Sequence, residues 1–136
     1  MPTKTRINIW EIKDTVQQIQ GIRQGLQASD VKVLINYFQV SQKAMEEVLR
    51  ISHRTLARRQ ACNKLLKPDE SERVMRLGSV FCLAVEILGT AEGAQRWFKK
   101  PQAEMNGDTP FMYCDTELGR IEIEHVLGRI ADGVYA

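Results

Sequence analysis

Apolar residues recur at intervals of three and four along nearly the whole chain, and no stretch alternates apolar with polar residues as a half-buried strand would. That periodicity restricts the fold to helices packed on helices. A first helix is expected over about 8–24, with Ile9, Ile12, Val16 and Ile19 on one stripe, Leu26 just beyond it and Gly25 at its end. Ser29 or Asp30 suits the cap of a second, running to about Phe38 and turning Val31, Leu34, Ile35 and Phe38 inward. Ser41 suits the cap of a third, whose inward residues are Ala44, Met45, Val48 and Leu49. After a tight connection at Arg50-Ile51, Ser52 caps a fourth helix that reaches about Cys62. Pro68 is expected to break the chain, and a long helix follows from Asp69, whose spacing to Glu72 is that of a capping box. Val74, Leu77, Phe81, Val85 and Leu88 make its buried stripe, and at about 30 Å it is long enough to be a spine joining two halves. Gly89 ends it. Thr90 caps the next helix, through about Lys99, and Thr109 caps a short one with Pro110 at its first position. Asp115 or Thr116 starts the last, through about Asp132, with Leu118, Ile121, Leu127 and Ile130 on or near one face and Gly133 at its end. The expected architecture is all-α: an N-terminal helix-turn-helix bundle over 1–68, joined by the long helix to a small helical domain over 69–136.

A chain of 136 residues can bury enough surface to fold without a disulfide or a metal. The cysteines, Cys62, Cys82 and Cys114, are odd in number and widely spaced, and the histidines are two, His53 and His125. Reduced thiols and no metal site are expected. Apolar runs fall short of a membrane span, and Glu11, Lys13 and Asp14 interrupt anything resembling the core of a signal peptide. The expected setting is the cytoplasm, without membrane contact. Charge is unevenly placed. Residues 1–100 hold 17 Lys+Arg against 10 Asp+Glu, and residues 101–136 hold 2 against 7. A basic body with an acidic end suits two partners of opposite charge.

Residues 41–59 read Ser-Gln-Lys-Ala-Met-Glu-Glu-Val-Leu-Arg-Ile-Ser-His-Arg-Thr-Leu-Ala-Arg-Arg. Met45, Val48, Leu49, Ile51 and Leu56 would pin two short helices about a tight turn, the helix-turn-helix arrangement. Capped by Ser52, the second helix presents His53, Arg54 and Thr55 in its first turn, where base edges are usually reached. Arg54 and Arg58 share a face at i,i+4, with Arg59 beside them. From Arg50 to Lys64 there are five basic residues and no acid, which suits phosphate neutralisation. Ser52, His53, Arg54, Thr55, Arg58 and Arg59 are therefore the candidate DNA contacts. Such turns favour glycine where this chain has Arg50, and alanine where it has Glu46. A left-handed conformation costs a non-glycine residue about 1 kcal/mol.

No paired carboxylates, metal cluster or activated nucleophile stands out, so neither catalysis, a cofactor nor a small-molecule substrate is expected. His125 is expected to be a half-buried structural side chain and Cys82 a core residue. Trp10 suits helix packing. Trp97 suits the core, or else an interface, where tryptophan is enriched. Met105, Phe111, Met112 and Tyr113 suit packing, and Gly107 and Gly119 suit backbone roles.

Several stretches in order resemble the MbcA/ParS/Xre antitoxin family, from about Gly25-Leu26 to the end. They are Ile51 to Arg59; Leu66-Lys67-Pro68-Asp69-Glu70-Ser71-Glu72-Arg73; Ala94-Gln95-Arg96-Trp97-Phe98-Lys99-Lys100-Pro101; Gly107-Asp108-Thr109-Pro110; and Gly119 followed by Val126-Leu127-Gly128-Arg129-Ile130. Phe98 stands where the family usually has leucine, and Cys114 and Arg50 are atypical. The resemblance implies an Xre-like DNA-binding N-terminal part and a C-terminal toxin-binding domain. The implied partners are operator DNA, a second copy of the chain, and a cognate toxin of the RES class, which resembles ADP-ribosyltransferases and consumes NAD⁺. It implies repression of the antitoxin's own operon. It also implies toxin contact by the last helix and tail: Arg129, Asp132, Gly133, Val134, Tyr135 and Ala136. A stand-alone Xre-type transcriptional regulator is the alternative on the same motifs.

Overall fold

Pro68 opens the long helix instead of breaking the chain ahead of it. In the computed structural model, which describes residues 8–133, this helix spans Pro68–Leu88. Proline is tolerated at a first helical position because no intrahelical N–H is needed there. The expected Asp69–Glu72 cap is not formed; Glu70 accepts the Lys67 N–H at 2.8 Å instead. The helices in order are α1 (Thr15–Gln24), α2 (Ser29–Phe38), α3 (Gln42–Leu49), α4 (His53–Ala61), α5 (Pro68–Leu88), α6 (Ala91–Phe98), α7 (Pro110–Tyr113) and α8 (Glu117–Ala131). Short 3-10 turns occupy Ile9–Glu11 and Ala103–Met105. The described residues are all-helical apart from one isolated bridge, between Gln27 and Leu65. It ties the approach to α2 to the approach to α5. Beside it the Leu66 N–H donates to the Leu26 carbonyl at 2.8 Å, and the Leu26 N–H donates to Ser71 Oγ at 2.8 Å.

Five caps follow the side-chain chemistry read from the sequence, whereas the cap expected from Ser29 or Asp30 is not formed: α2 starts after Ala28 with no side-chain cap. Ser41, Ser52, Thr90, Thr109 and Thr116 each accept a first-turn N–H through the hydroxyl. The spine, α5, buries Val74, Met75, Leu77, Gly78, Val80, Phe81 and Ala84, and packs against α1, α2, α3, α6, α8 and the first 3-10 turn. Val85 and Leu88 are only half-buried. Phe38 of α2, wholly buried, lies 4.9 Å between ring centroids from both Phe81 and Phe98 and 5.2 Å from Phe111. One ring cluster therefore joins α2, α5, α6 and α7. Trp97, half-buried, meets Phe98 edge-on at 5.1 Å.

Four expectations about packing are corrected. The first helix is two elements, because Asp14 accepts the Val16 N–H at 3.0 Å and restarts the helix after Ile12-Lys13. As a result α1 has no fully buried residue; Val16 is 61% exposed, Ile19 is 42% exposed, and Ile22 is the α1 side chain packed on the core. In α8 the buried face is Gly119, Ile123, Val126 and Leu127, while Leu118 is 79% exposed. His125 is exposed, and Cys82 is half-buried at the edge of the core.

Separation of the first 3-10 turn from α1 lets Trp10 fold back onto α5, where the indole covers Gly78. A Cβ at position 78 would lie 2.2 Å from the Trp10 ring. The Trp10 Nε1–H donates to the Tyr37 hydroxyl at 3.3 Å, and that hydroxyl donates to Glu11 at 3.1 Å. Gly78→Ala should expel the indole and destabilise the fold by about 2 kcal/mol, the usual range for overpacking. In a Trp97→Phe background, Trp10 emission should shift to the red and the melting temperature should fall. Unchanged emission would mean that the ring does not rest on Gly78.

Candidate functional site

The turn between α3 and α4 is built as the sequence requires of a helix-turn-helix. Met45, Val48, Leu49, Ile51 and Leu56 are all buried. Arg50 takes the left-handed conformation, φ 57° and ψ 38°, that glycine usually fills. A residue distant in sequence supports it: the Arg73 guanidinium of α5 donates from Nε to the Leu49 carbonyl at 2.6 Å and from Nη2 to the Arg50 carbonyl at 3.5 Å. These bonds occupy carbonyls that the end of α3 leaves without helical partners. Glu46 takes up a second role at the turn. It receives Gln42 Nε2 at 2.8 Å and lies 2.8 Å from His53 Nδ1. Burial pushes its carboxyl up, but the bonds from Gln42 and His53 outweigh that and hold it below the ordinary carboxylate value.

Ser52 Oγ accepts the Thr55 N–H at 3.0 Å and its hydroxyl donates to Thr55 Oγ1 at 2.9 Å, so both side chains serve the start of α4. Ser52, His53, Arg54 and Arg58 are exposed, and Thr55 is half-exposed. Arg54 and Arg58 project from the side of α4 opposite Leu56 and Arg59, which are buried. Arg59 does not join them. It is 8% exposed and grips Glu70 at the head of α5, with Nε at 3.2 Å and Nη2 at 3.1 Å from Oε1 and Nη2 at 3.1 Å from Oε2. The candidate DNA contact at Arg59 is corrected accordingly: its fork of donors is spent on joining α4 to α5. Burial pushes the Glu70 carboxyl up, but the Arg59 guanidinium and the Lys67 N–H reverse this and leave it below its ordinary value of 4.5.

The other end of the molecule has a different character. Arg129 is partly exposed and lies 3.8 Å from Glu122. Asp132 and Gly133 are exposed at the end of α8. Val134, Tyr135 and Ala136 lie outside the described residues. Gly119 packs so tightly on the α7–α8 corner that a Cβ there would lie 1.7 Å from the Tyr113 carbonyl oxygen. Beside it the exposed Met112 and Leu118 edge a groove of about 370 Å³ lined also by Asp108 and Asp115. Arg76 of α5 holds this corner through the Cys114 carbonyl, 3.4 Å, and the Glu117 carboxylate, 3.5 Å. Burial pushes the Cys114 thiol up to about 12, which leaves it protonated and inert. Among the described residues, no group of His, Cys, Asp and Glu is arranged to hold a metal ion. No single described helix is long and apolar enough to cross a membrane.

Two substitutions test this geometry. Glu70→Gln leaves Arg59 buried without its countercharge and should cost about 3 kcal/mol, as breaking a buried ion pair does. The folded-state pKa of Glu70 is depressed, so its contribution is complete above the ordinary carboxylate range and is lost as pH falls through that range. Denaturant titrations should find the wild type and the Glu70→Gln variant converging in stability as pH drops below about 4; a gap that is constant with pH would show that the ion pair is not its source. Arg50→Gly should raise stability by about 0.5–1 kcal/mol by relieving the left-handed backbone, offset in part by the greater freedom of the unfolded chain. A lower midpoint in urea would mean that the arginine side chain, and not Arg73, supports the turn.

Comparison with known proteins places both halves. The Antitoxin Xre-like helix-turn-helix domain matches residues 17–78, and the Antitoxin Xre/MbcA/ParS C-terminal toxin-binding domain matches residues 83–133. The chain is 29% identical over 130 residues to the Prs ADP-ribosylating antitoxin of a Sphingobium species, covering 89% of this chain and 82% of that protein. It is 35% identical over 80 residues to an Antitoxin Xre of Pseudomonas putida, covering 59% of this chain and 50% of that one. An Antitoxin Xre of Yersinia enterocolitica is 33% identical over 94 residues, covering 66% of this chain and 64% of its own length. With the buried turn, the exposed arginine pair and both domain matches in chain order, this protein belongs to the Xre/MbcA/ParS antitoxin family.

Proposed function

We propose that this antitoxin neutralises a RES-domain, NAD⁺-consuming toxin in the cytoplasm and, as a homodimer, represses its own operon by binding operator DNA. The observation that carries the DNA half of this reading is the division of α4 into two faces. Leu56 and Arg59 are buried, while Arg54 and Arg58 extend into solvent with His53 at the head of the helix. Two guanidiniums one turn apart can straddle a phosphate and a guanine edge, and each bidentate base contact is worth about 1–3 kcal/mol. The toxin half rests on the C-terminal domain match and on the acidic composition of residues 101–136, which suits a basic, nucleotide-binding cleft. The Sphingobium relative carries ADP-ribosylation in its name, which agrees with a toxin of the ADP-ribosyltransferase type. The end of α8, Arg129, Asp132 and Gly133, together with Val134, Tyr135 and Ala136, is the proposed inhibitory element. Ser52 and Thr55 serve DNA binding through the cap that aims the helix.

One experiment separates the two halves. The chain is co-expressed with a candidate RES-domain toxin, and growth rescue and complex recovery are measured together with mobility shifts on the DNA upstream of its gene. Arg54→Ala with Arg58→Ala should lower DNA affinity by about 100-fold or more and leave rescue unchanged. Failure of the wild-type chain to rescue growth or form a complex would remove the RES reading and leave a stand-alone regulator. Unaltered mobility shifts for the double variant would assign DNA binding to another surface.

A further inference from the structure

We infer that α1 is a self-association surface, on which a second copy of this chain docks antiparallel across a two-fold axis. The inference deepens the dimeric reading above and rests on it. The starting point is a helix whose outer side carries two exposed apolar residues, with no described element packed over them. Val16 and Ile19, 61% and 42% exposed, lie on one stripe with Gln20 and Arg23, while Ile22 and Gly21 point to the core and to Ile9. A ten-residue helix with no fully buried residue is marginal unless its open side is also covered.

Charge decides which occupant fits. Within α1 the sole charged residue is Arg23, and four of its ten residues are glutamines. A charged partner would find almost nothing to pair with. A second copy finds its own complement: valine and isoleucine meet their equals, and a glutamine amide both donates and accepts. The ends of the helix make the choice directional. Asp14 is the exposed cap at the N-terminal end, and Arg23 is exposed in the last turn. They stand about 14 Å apart along the helix, with Val16 and Ile19 between them. An antiparallel two-fold pairing centred near Ile19 brings each Arg23 to the partner's Asp14 and sets the helix dipoles head to tail. A parallel pairing would set Asp14 on Asp14 and Arg23 on Arg23. The two-fold arrangement is isologous, as closed dimers require. One ten-residue helix makes a small contact, so the free dimer is weak and two adjacent half-sites on DNA would reinforce it.

Sedimentation of the full chain at rising concentration tests this. Wild type should move from the mass of one chain to that of two. Val16→Glu with Ile19→Glu should stay at one chain over the same range, with an unchanged helical circular dichroism spectrum because both sites are exposed. Arg23→Glu should raise the dimer dissociation constant about tenfold, and adding Asp14→Asn, which keeps a cap of the same geometry, should recover part of that loss. A wild-type chain that sediments as one chain throughout would overturn the dimeric reading and the surface together. A dimer that survives the double glutamate variant would overturn the surface alone and leave α1 to another occupant.

Discussion

Everything in this molecule depends on removing one side of a 21-residue helix from water. The apolar side chains of α5 give α2, α6 and α8 a common surface to pack against, and Gly78 gives Trp10 a flat place to rest. Burial of each large side chain contributes roughly 1.5–3 kcal/mol, so a helix with several of them organises its neighbours more strongly than any cap or ion pair does. Polar contacts then fix orientation. Arg59 with Glu70, and Arg73 with the carbonyls at the end of α3, lock the helix-turn-helix to the head of the spine. Arg76 does the same for the α7–α8 corner one turn further along.

Much of this is legible in sequence. Hydroxyl caps at Ser41, Ser52, Thr90, Thr109 and Thr116 are local chemistry, and all five form. The five apolar residues around the turn are local spacing, and all five are buried. Arg50 can be assigned the left-handed position from spacing alone. Its support from Arg73 cannot, because the two are separated by a helix and a loop and meet only once α5 has docked.

The misreadings share a cause. Arg59 reads as one more positive charge in a basic run, and a helical wheel does place it near the buried side with Leu56. What decides its role is Glu70, eleven residues away and across a proline. The 8–24 stripe looks continuous because Ile9, Ile12, Val16 and Ile19 keep helical spacing. A single carboxylate, Asp14, restarts the helix and rotates Val16 and Ile19 outward. Leu118 falls on the α8 stripe by count, yet in the first turn of the helix it stays 79% exposed, because no described element packs over it. Periodicity locates apolar stripes; it does not say which of them the rest of the chain can reach.

The join between α4 and α5 also decides how these two helices can move. Between Cys62 and Lys67 the backbone is pinned by the Leu26–Leu66 hydrogen bond, and the helices on either side are clamped by a three-bond guanidinium–carboxylate fork. Among the described residues, no loose segment separates α4 from the head of α5. α4 and the head of α5 therefore tilt as one body, and a force on either helix is carried to the other through the Arg59–Glu70 pair.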